Sequence, residues 1–395
     1  MTIILADDFS GAAEMGGIGH RYGLTTKIQL DPVIQVDAEL LVIDTNTRSL
    51  NEESAVAKTK KVIAELKRFN KPFRLFKKVD SVMRGHIAAE ITVLQQELGY
   101  NRILLLPANP ARGRTISSGH YYINGTSLDK TVFANDPDFP ISSSSVETLL
   151  KFHGAHPPYI HLQQNSDLPA SSFITGDVET KEDIKNYIKK TNEQDLCCGA
   201  AECFEAWLEH LGYSDEQKIL QQENKTSKLP FAVIINGSTV KDNNAVDLLE
   251  KYTIPQLSLP GAWQEDRFKM TKEEETIFNQ QALELLEDQY MISITVDQPL
   301  KQVKDQPDIF SGYFVKLMHY ISNSIGMNII HFGLTGGATS FALINSTGIR
   351  DFYVKEEVAP GIVTLKSKDE TKGLFTVKPG SYPWPLSFLE KLAKQ

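Results

Sequence analysis

Short apolar runs alternate with amphipathic segments along the first half of the chain. A short apolar run predicts a buried strand, whereas apolar residues three or four positions apart predict a helix. The predicted strands are 3–6, 40–43, 73–76 and 103–106, the predicted helices are 11–22, 52–69 and 87–98, and segments 171–174, 181–190 and 197–211 complete this half. Such alternation predicts an α/β fold, with a mainly parallel sheet flanked by helices.

The same alternation resumes after a polar stretch at 214–229. Strands are predicted near 231–235, 292–296 and 328–332, and helices near 243–252, 272–286 and 310–324. The chain has 395 residues, and one hydrophobic core usually holds no more than about 250–300 residues. We therefore predict two α/β domains with a cleft between them, at 1–213 and 230–395, joined by a linker at 214–229.

Residues 107–140 do not follow this alternation. The segment is rich in Pro, Gly, Ser and Asn and has no sustained hydrophobic period. It carries Arg112, Arg114, His120, Tyr121 and Tyr122, which are not the composition of a flexible tail. A long loop in a compact enzyme is usually functional or disordered. We predict an ordered loop beside the functional site.

Charge and hydropathy restrict the classes of partner. The net charge is −9, and an acidic surface disfavours nucleic-acid backbones, so we expect no nucleic-acid partner. No apolar run approaches the ~18 residues that cross a bilayer, and the first residues lack the basic start of a signal peptide. We expect a cytoplasmic protein with no membrane partner, and a homodimer is the default expectation.

The cysteines do not indicate a disulfide framework. Cys197, Cys198 and Cys203 are odd in number and lie within one short segment. We interpret them as small apolar side chains of a buried helix. Thiols without a framework favour a reducing compartment.

Polar clusters follow three of the predicted strands. In the first, Asp7 and Asp8 end a strand and Gly11 opens a helix. Paired carboxylates there can accept a hydroxyl proton or hold a metal, and the alternative is that Asp8 or Ser10 merely caps the helix. Ligands of open α/β sheets bind at the carboxyl ends of strands. We therefore expect the clusters to converge at one edge of the sheet.

The second and third clusters carry cations. Arg48, in the segment 44–48, offers a planar fork for a carboxylate, with a surface salt bridge as the alternative. The segment 77–86 places Lys78, Asp80, Ser81 and Arg84 before a helix. Cations and backbone N–H groups at a helix start form an anion site, and a solvated charge run is the alternative.

Glycine-rich turns follow strands in the second half. The segment 335–340 reads Thr-Gly-Gly-Ala-Thr-Ser and precedes an apolar helix. Small residues let backbone N–H groups approach phosphates closely, although a plain tight turn gives the same pattern. The segments 236–238 and 377–380 repeat the arrangement. Three such turns in one domain indicate a nucleotide cleft.

These segments, in this order, resemble the four-carbon acid sugar kinase family, which phosphorylates tetronates such as threonate and erythronate with ATP. The similarity extends over nearly the whole chain. The matching segments are 6–12, 44–48, 77–85, 107–114, 119–121, 136–137, 236–238, 335–340, 359–361 and 378–380.

The resemblance implies roles for individual residues. The sugar acid would be bound by Asp8, Arg48, Lys78, Val79, Asp80, Ser81 and Arg84. Within this set we choose Asp8 as the catalytic base, because it lies at the strand end that faces the cleft. ATP would be bound by Ser238, Gly336, Gly337, Thr339, Gly361, Lys378 and Gly380. Mg²⁺ would accompany ATP, and we assign no protein ligands to a metal.

Two positions depart from the family pattern. The family's Gly-Gly-Asp-Thr has Ala338 in place of the acid, and Ser381 replaces a usual glycine. Both changes affect nucleotide handling more than substrate binding. Two other functions therefore stay open: a nucleotide- or metabolite-binding sensor with little turnover, and a phosphatase acting on a sugar-acid phosphate through a metal held by Asp7 and Asp8.

Overall fold

The chain divides into two compact units, Met1–Ile219 and Leu220–Gln395. The computed structural model describes residues 1–30, 32–34, 37–136, 139–153, 155–164, 166–170, 172–215, 229–237, 251–259, 270–296, 307–380 and 382–393. Most of the predicted linker at 214–229 lies outside the described residues. The exact domain limits therefore stay a prediction.

The first unit is built on a parallel sheet. The strands of this sheet are β1 (Thr2–Ala6), β2 (Thr26–Gln29), β3 (Leu40–Asp44), β4 (Arg74–Lys78), β5 (Arg102–Leu106), β9 (Tyr159–Leu162), β10 (Phe173–Gly176) and β11 (Asp195–Gly199). Three short strands lie outside it: β6 (Arg114–Ser117), β7 (His120–Ile123) and β8 (Thr126–Ser127). The described strands follow the order β2-β3-β1-β4-β11-β5-β10-β9, with parallel pairing. The predicted α/β class is confirmed.

Helices connect these strands. They are α1 (Phe9–Arg21), α2 (Glu52–Arg68), α3 (Ile87–Leu98), α4 (Val146–Leu150), α5 (Lys181–Ile188) and α6 (Ala201–His210). Their starts carry capping side chains: Asn51 accepts from Ser54 N, and Thr180 forms a capping box with Asp183. Within the unit, α1 and α5 both pack against α6, and α2 packs against α3.

Two interpretations of the first unit are corrected. The segment 107–140 holds a small antiparallel sheet, β6-β7-β8, which periodicity missed because its strands are two to four residues long. Cys197 and Cys198 lie in strand β11 and only Cys203 lies in a helix. All three are buried free thiols. A buried parallel strand is a continuous apolar run, so length alone did not separate it from the helix that follows.

The second unit has a mixed sheet. Its described strands are β12 (Phe231–Asn236), β13 (Gln256–Leu259), β14 (Met291–Val296), β15 (Ile330–Thr335), β16 (Asp351–Ala359), β17 (Ile362–Ser367) and β18 (Leu374–Lys378). They follow the order β13-β14-β12-β15-β18-β17-β16, and of these described strands β17 alone runs in the opposite direction to the others. The predicted mainly parallel sheet is therefore confirmed here too.

Four α-helices of the second unit are described along their length. They are α7 (Lys272–Gln289), α8 (Pro307–Ile325), α9 (Gly337–Ser346) and α10 (Leu386–Ala393). The helix predicted at 243–252 falls mostly outside the described residues. Short 3-10 turns in the two units cover Pro110–Arg112, Leu128–Lys130, Val132–Asn135, Met327–Ile329 and Glu370–Lys372.

Close packing fixes α1, the helix that Asp8 caps, against the sheet. A Cβ added at Gly19 would overlap Leu40 Cδ2 and lie 3.0 Å from Thr26 Oγ1. Both neighbours are buried, so neither can move away freely. Glycine is therefore required here by the distance between helix and sheet.

Substitution of two helical glycines tests this packing. Gly312 of α8 is exposed and has no atom within 4 Å of an added Cβ. Helix propensity favours alanine at both sites by about 1 kcal/mol, so a difference in stability between the two variants reports only the contacts of the added methyl group. We expect Gly19→Ala to lower the free energy of unfolding by about 1–3 kcal/mol and Gly312→Ala to leave it unchanged or raise it. Urea unfolding measures both, and equal effects would contradict the packing argument.

Candidate active site

The three polar clusters of the first unit lie side by side. Strands β3, β1 and β4 are neighbours, with Ala6 in register with Asp44 and Leu5 in register with Lys77. The residues that follow these strands therefore share one carboxyl edge, which we call the carboxyl-edge site. The convergence predicted from the sequence is confirmed by this register.

Arg48 lies at the centre of the carboxyl-edge site. Its Nε and Nη2 donate to the two oxygens of Asp7 at 2.8 and 2.9 Å, and Nη2 also donates to Asp8 Oδ1 at 2.7 Å. Its Nη1 lies 3.6 Å from Asp80 Oδ1. Burial alone would raise the pKa of Asp7, but the Arg48 guanidinium holds that pKa below its usual value. One guanidinium thus links all three strand ends.

A second arginine extends the network. Arg84 donates from Nε and Nη2 to Asp80 at 2.9 and 3.0 Å, and from Nη1 to Asp136 Oδ2 at 3.0 Å. Burial opposes ionisation of Asp80, but Arg84 and Arg48 hold its pKa well below the usual range. Asp80 also accepts from the backbone N–H groups of Val82 and Arg84. The turn before α3 is therefore fixed around an ionised carboxylate.

Asp8 caps a helix and pairs with Arg48, the two non-catalytic roles that were considered for these residues from the sequence. Its Oδ1 accepts from Gly11 N at 3.0 Å, which caps α1, and its Oδ2 accepts from Ser10 Oγ at 2.5 Å. It is also ion-paired with Arg48. Its side chain is 14% exposed, so the carboxylate is fixed in orientation and still in contact with solvent. Its catalytic role stays a prediction.

Lys78 presents its amino group beside the start of α1. Its Nζ donates to Val79 O at 2.9 Å and lies 3.5 Å from Glu14 Oε2. An added Cβ at Gly11 would lie 3.5 Å from the same Nζ, an ordinary contact, but only 2.7 Å from Asp8 Oδ1. A side chain at position 11 would therefore crowd the Asp8 carboxylate that caps α1, and glycine leaves that space open.

Two residues of the antiparallel sheet contact the site, in agreement with the prediction that 107–140 lies beside it, although neither was predicted as a site residue. The Arg114 guanidinium donates to Ser81 Oγ, and the Tyr121 hydroxyl donates to Ser81 O. Turns with positive φ at 118–119 and 124–125 connect the strands of this sheet. The Asn-Gly pair at 124–125 is a strong hairpin signal and could have revealed it.

Asp44 was not assigned a role in the sequence analysis either. Its Oδ1 accepts from Asn46 N at 2.9 Å, whereas its Oδ2 has no hydrogen-bond partner among the described residues. Burial raises the pKa of this carboxyl to about 7, and the neighbouring Asp8 carboxylate adds to the effect. The signal available in the sequence was its position at a strand end.

The glycine turns of the second unit also share one sheet edge. They follow the adjacent strands β12, β15 and β18. Thr335 Oγ1 donates to Asn236 Oδ1 at 2.9 Å, and Gly336 N donates to Lys378 O at 3.0 Å. An added Cβ at Gly237 would lie 2.7 Å from Thr339 Cβ. Three of the segments predicted to bind nucleotide are thus in contact.

The remaining nucleotide-site predictions have different outcomes. Gly361 lies at the same edge, because Val363 pairs antiparallel with Val377 just after the β16–β17 turn. Lys378 is buried, and its Nζ donates to Tyr382 O at 2.5 Å. Gly380 follows two residues after β18. Ser238 and Ser381 lie outside the described residues.

Neither a metal cluster nor a membrane helix is seen in the described part of the chain. No three His, Cys, Asp or Glu side chains are grouped there as metal ligands. Both oxygens of Asp7 accept from Arg48, which disfavours the metal role considered for Asp7 and Asp8. No described helix has the length and hydropathy needed to cross a bilayer.

Curated relatives match part of the chain. A D-threonate kinase of Salmonella typhimurium is 30% identical over 159 residues, or 40% of this chain and 38% of its own length. A 3-oxo-tetronate kinase of Brucella melitensis is 32% identical over 155 residues, or 38% of this chain and 35% of its own length. A D-erythronate kinase of Heliobacterium modesticaldum is 27% identical over 164 residues, or 39% of this chain and 36% of its own length. The chain thus spans 35% to 38% of the length of these relatives.

Solved structures share the fold over the whole chain. A structure from Salmonella typhimurium LT2 has a TM-score of 0.76 at 16% identity and covers 99% of this chain and 98% of that one. A Haemophilus influenzae structure has a TM-score of 0.69 at 18% identity, with coverage of 100% and 99%. At such identities the likeness shows the fold alone.

A family model described as a sugar-binding N-terminal domain matches residues 2–202, just over half of the chain. The matched region includes the complete carboxyl-edge site. The names of the curated relatives confirm the resemblance to four-carbon acid sugar kinases. The chain therefore belongs to the family of the sugar-binding N-terminal domain.

Proposed function

We propose that the protein is an ATP-dependent kinase that phosphorylates a hydroxyl group of a four-carbon sugar acid of the threonate, erythronate or 3-oxo-tetronate type. One observation carries the proposal. Asp8, Arg48 and the turn from Lys78 to Arg84 meet at a single sheet edge, within the residues 2–202 that the sugar-binding family model matches, and curated relatives of the chain are named as kinases of these acids.

The sugar acid would bind at the carboxyl-edge site. Lys78 and Arg84 supply positive charge, and the residues 79–81 supply backbone and hydroxyl groups for the substrate's polar atoms. Arg48 Nη1 has the longest carboxylate contact of that guanidinium, 3.6 Å to Asp80 Oδ1, and would donate to the substrate's carboxylate. Fixed ion pairs hold these donors in place before the substrate arrives, which lowers the entropic cost of binding.

Asp8 would accept the proton of the reacting hydroxyl. That oxygen then forms a bond to the γ-phosphorus while the bond to the β-phosphate oxygen breaks, giving the phosphorylated acid and ADP. Catalysis of phosphoryl transfer depends mostly on positioning and charge stabilisation. The cap to Gly11 and the pair with Arg48 orient the Asp8 carboxylate for this task.

ATP would bind at the glycine turns of the second unit, with 230–395 as the nucleotide domain and 1–213 as the sugar-acid domain. Gly336, Gly337 and Thr339 at the start of α9, with Gly361, Lys378, Gly380 and Ser238, are the proposed contacts. Small residues at a helix start let N–H groups contact phosphate oxygens. The described residues do not form a protein-only metal site, so Mg²⁺ would bind chiefly through the phosphates of ATP.

ADP release tests the proposal. The purified protein is supplied with MgATP and a panel of four-carbon acids: both enantiomers of threonate and erythronate, and their 2-oxo and 3-oxo forms. We expect robust turnover with at least one member. ATP binding without ADP release across the panel would contradict the kinase proposal and support the sensor alternative. Release of phosphate from a sugar-acid phosphate without nucleotide would support the phosphatase alternative.

Asp8→Asn tests the proposed base. Asparagine keeps an oxygen for the Gly11 N–H, so the cap of α1 is retained, but it cannot take up the hydroxyl proton. We expect turnover to fall by about 10²–10⁴-fold. The matched control is Asp369→Asn, an exposed carboxylate that caps a 3-10 turn through Thr371 N. A folded Asp8→Asn protein with full turnover would exclude Asp8 as the base.

Gly336→Ala tests the proposed nucleotide turn. Gly336 and Gly348 flank α9 with φ of 96° and 74°, and an added Cβ has no atom within 4 Å at either position. Alanine should therefore strain the backbone at both sites, by about 1–2 kcal/mol at Gly348 and by more at Gly336, whose ψ of 136° lies outside the left-handed helical region. We expect only Gly336→Ala to weaken MgATP binding, by at least about tenfold, since the altered turn moves the N–H groups that face phosphate. Calorimetry compares the two variants, and equal affinities would remove the turn from the nucleotide site.

A further inference from the structure

Asp44 differs from the other carboxylates of the carboxyl-edge site. Asp7 and Asp8 pair with Arg48, and Asp80 and Asp136 pair with Arg84. Among the described residues, no cation lies within ion-pair distance of Asp44. It receives one backbone N–H at Oδ1, and its Oδ2 is buried without a donor.

The groups around Asp44 disfavour a negative charge on it. Asp8 faces it from the cap of α1 and Asp7 from the end of β1, and both are negative. Lys58 of α2 is the cation that acts on it, at longer range. Strand β2 runs beside β3 and its last paired residue is Gln29, opposite Ile43, the residue before Asp44. Neither Gln29 nor Ile43 is charged. Asp44 is only 3% exposed, so hydration by solvent does little to stabilise a negative charge on it.

We propose that Asp44 takes up one proton from solvent when a sugar acid binds at the carboxyl-edge site, so that the ligand's negative charge is offset by the loss of a negative charge in the protein. This rests on the proposed function and adds a charge-balancing residue to the same site. The step converts a carboxylate and a solvent proton into a carboxylic acid, with no other bond changed.

Asp44 is the carboxyl group best suited to this step. Protonation of Asp7 or Asp80 would break their arginine pairs, whose attraction holds the pKa of both groups low. Protonation of Asp44 at Oδ2 leaves the bond from Asn46 N to Oδ1 intact. Burial already brings its pKa to about 7. An arriving anion raises that pKa further, so uptake occurs above neutral pH.

Calorimetry of sugar-acid binding without nucleotide measures the uptake. Sodium threonate and sodium erythronate are titrated into the protein in phosphate and in Tris, whose ionisation enthalpies differ, so the heats give the number of protons bound. For wild type we expect net uptake above about pH 7, with affinity falling by up to about tenfold per pH unit. Asp44→Asn, permanently neutral, should take up no proton and keep a nearly constant affinity between about pH 6 and pH 8.5.

The control is Asp288→Asn, at an exposed carboxylate near the end of α7. It should leave the uptake unchanged. Binding without uptake in wild type, or equal uptake in Asp44→Asn, would overturn the proposal while leaving the kinase function intact. Absence of binding by either acid would overturn this proposal together with its proposed substrates. Absence of uptake in wild type would overturn the proposal even if Asp44→Asn does not fold.

Discussion

The Arg48 guanidinium is the interaction on which the carboxyl-edge site depends. It comes from the segment after β3 and contacts carboxylates that follow β1 and β4. At 17% exposure it is largely removed from water. Loss of one partner of such a buried pair costs on the order of 3–5 kcal/mol, because the other charge is left uncompensated. The arginine therefore keeps these carboxylates ionised and holds together the side chains that follow the three strands.

Much of this arrangement could be predicted from the sequence, because it depends on local patterns. Apolar runs followed by acids or cations identified β1, β3 and β4 and the clusters at their ends. The order of parallel strands brings such ends together, so convergence follows from topology alone. In the second unit, glycine turns after adjacent strands were predictable for the same reason.

Other features depend on contacts between distant residues and were not predictable by the same route. Strand β2 contains Lys27, whose buried amino group lies 3.2 Å from Asp37, and a buried lysine interrupts the apolar pattern that identifies a strand. The direction of β17, which is antiparallel to β16 and β18, is set by its pairing partners and leaves no mark in its own sequence. The unpartnered oxygen of Asp44 becomes evident only when its neighbours are placed around it.

The central claim is that a four-carbon sugar acid binds where β1, β3 and β4 end. A crystal structure of the protein with a sugar acid that it phosphorylates, together with ADP, tests the claim most directly. The account predicts that the acid contacts Asp8 and the segment from Lys78 to Arg84 within hydrogen-bond distance. An acid bound at any other place in the chain, with the carboxyl-edge site free of ligand, would contradict it.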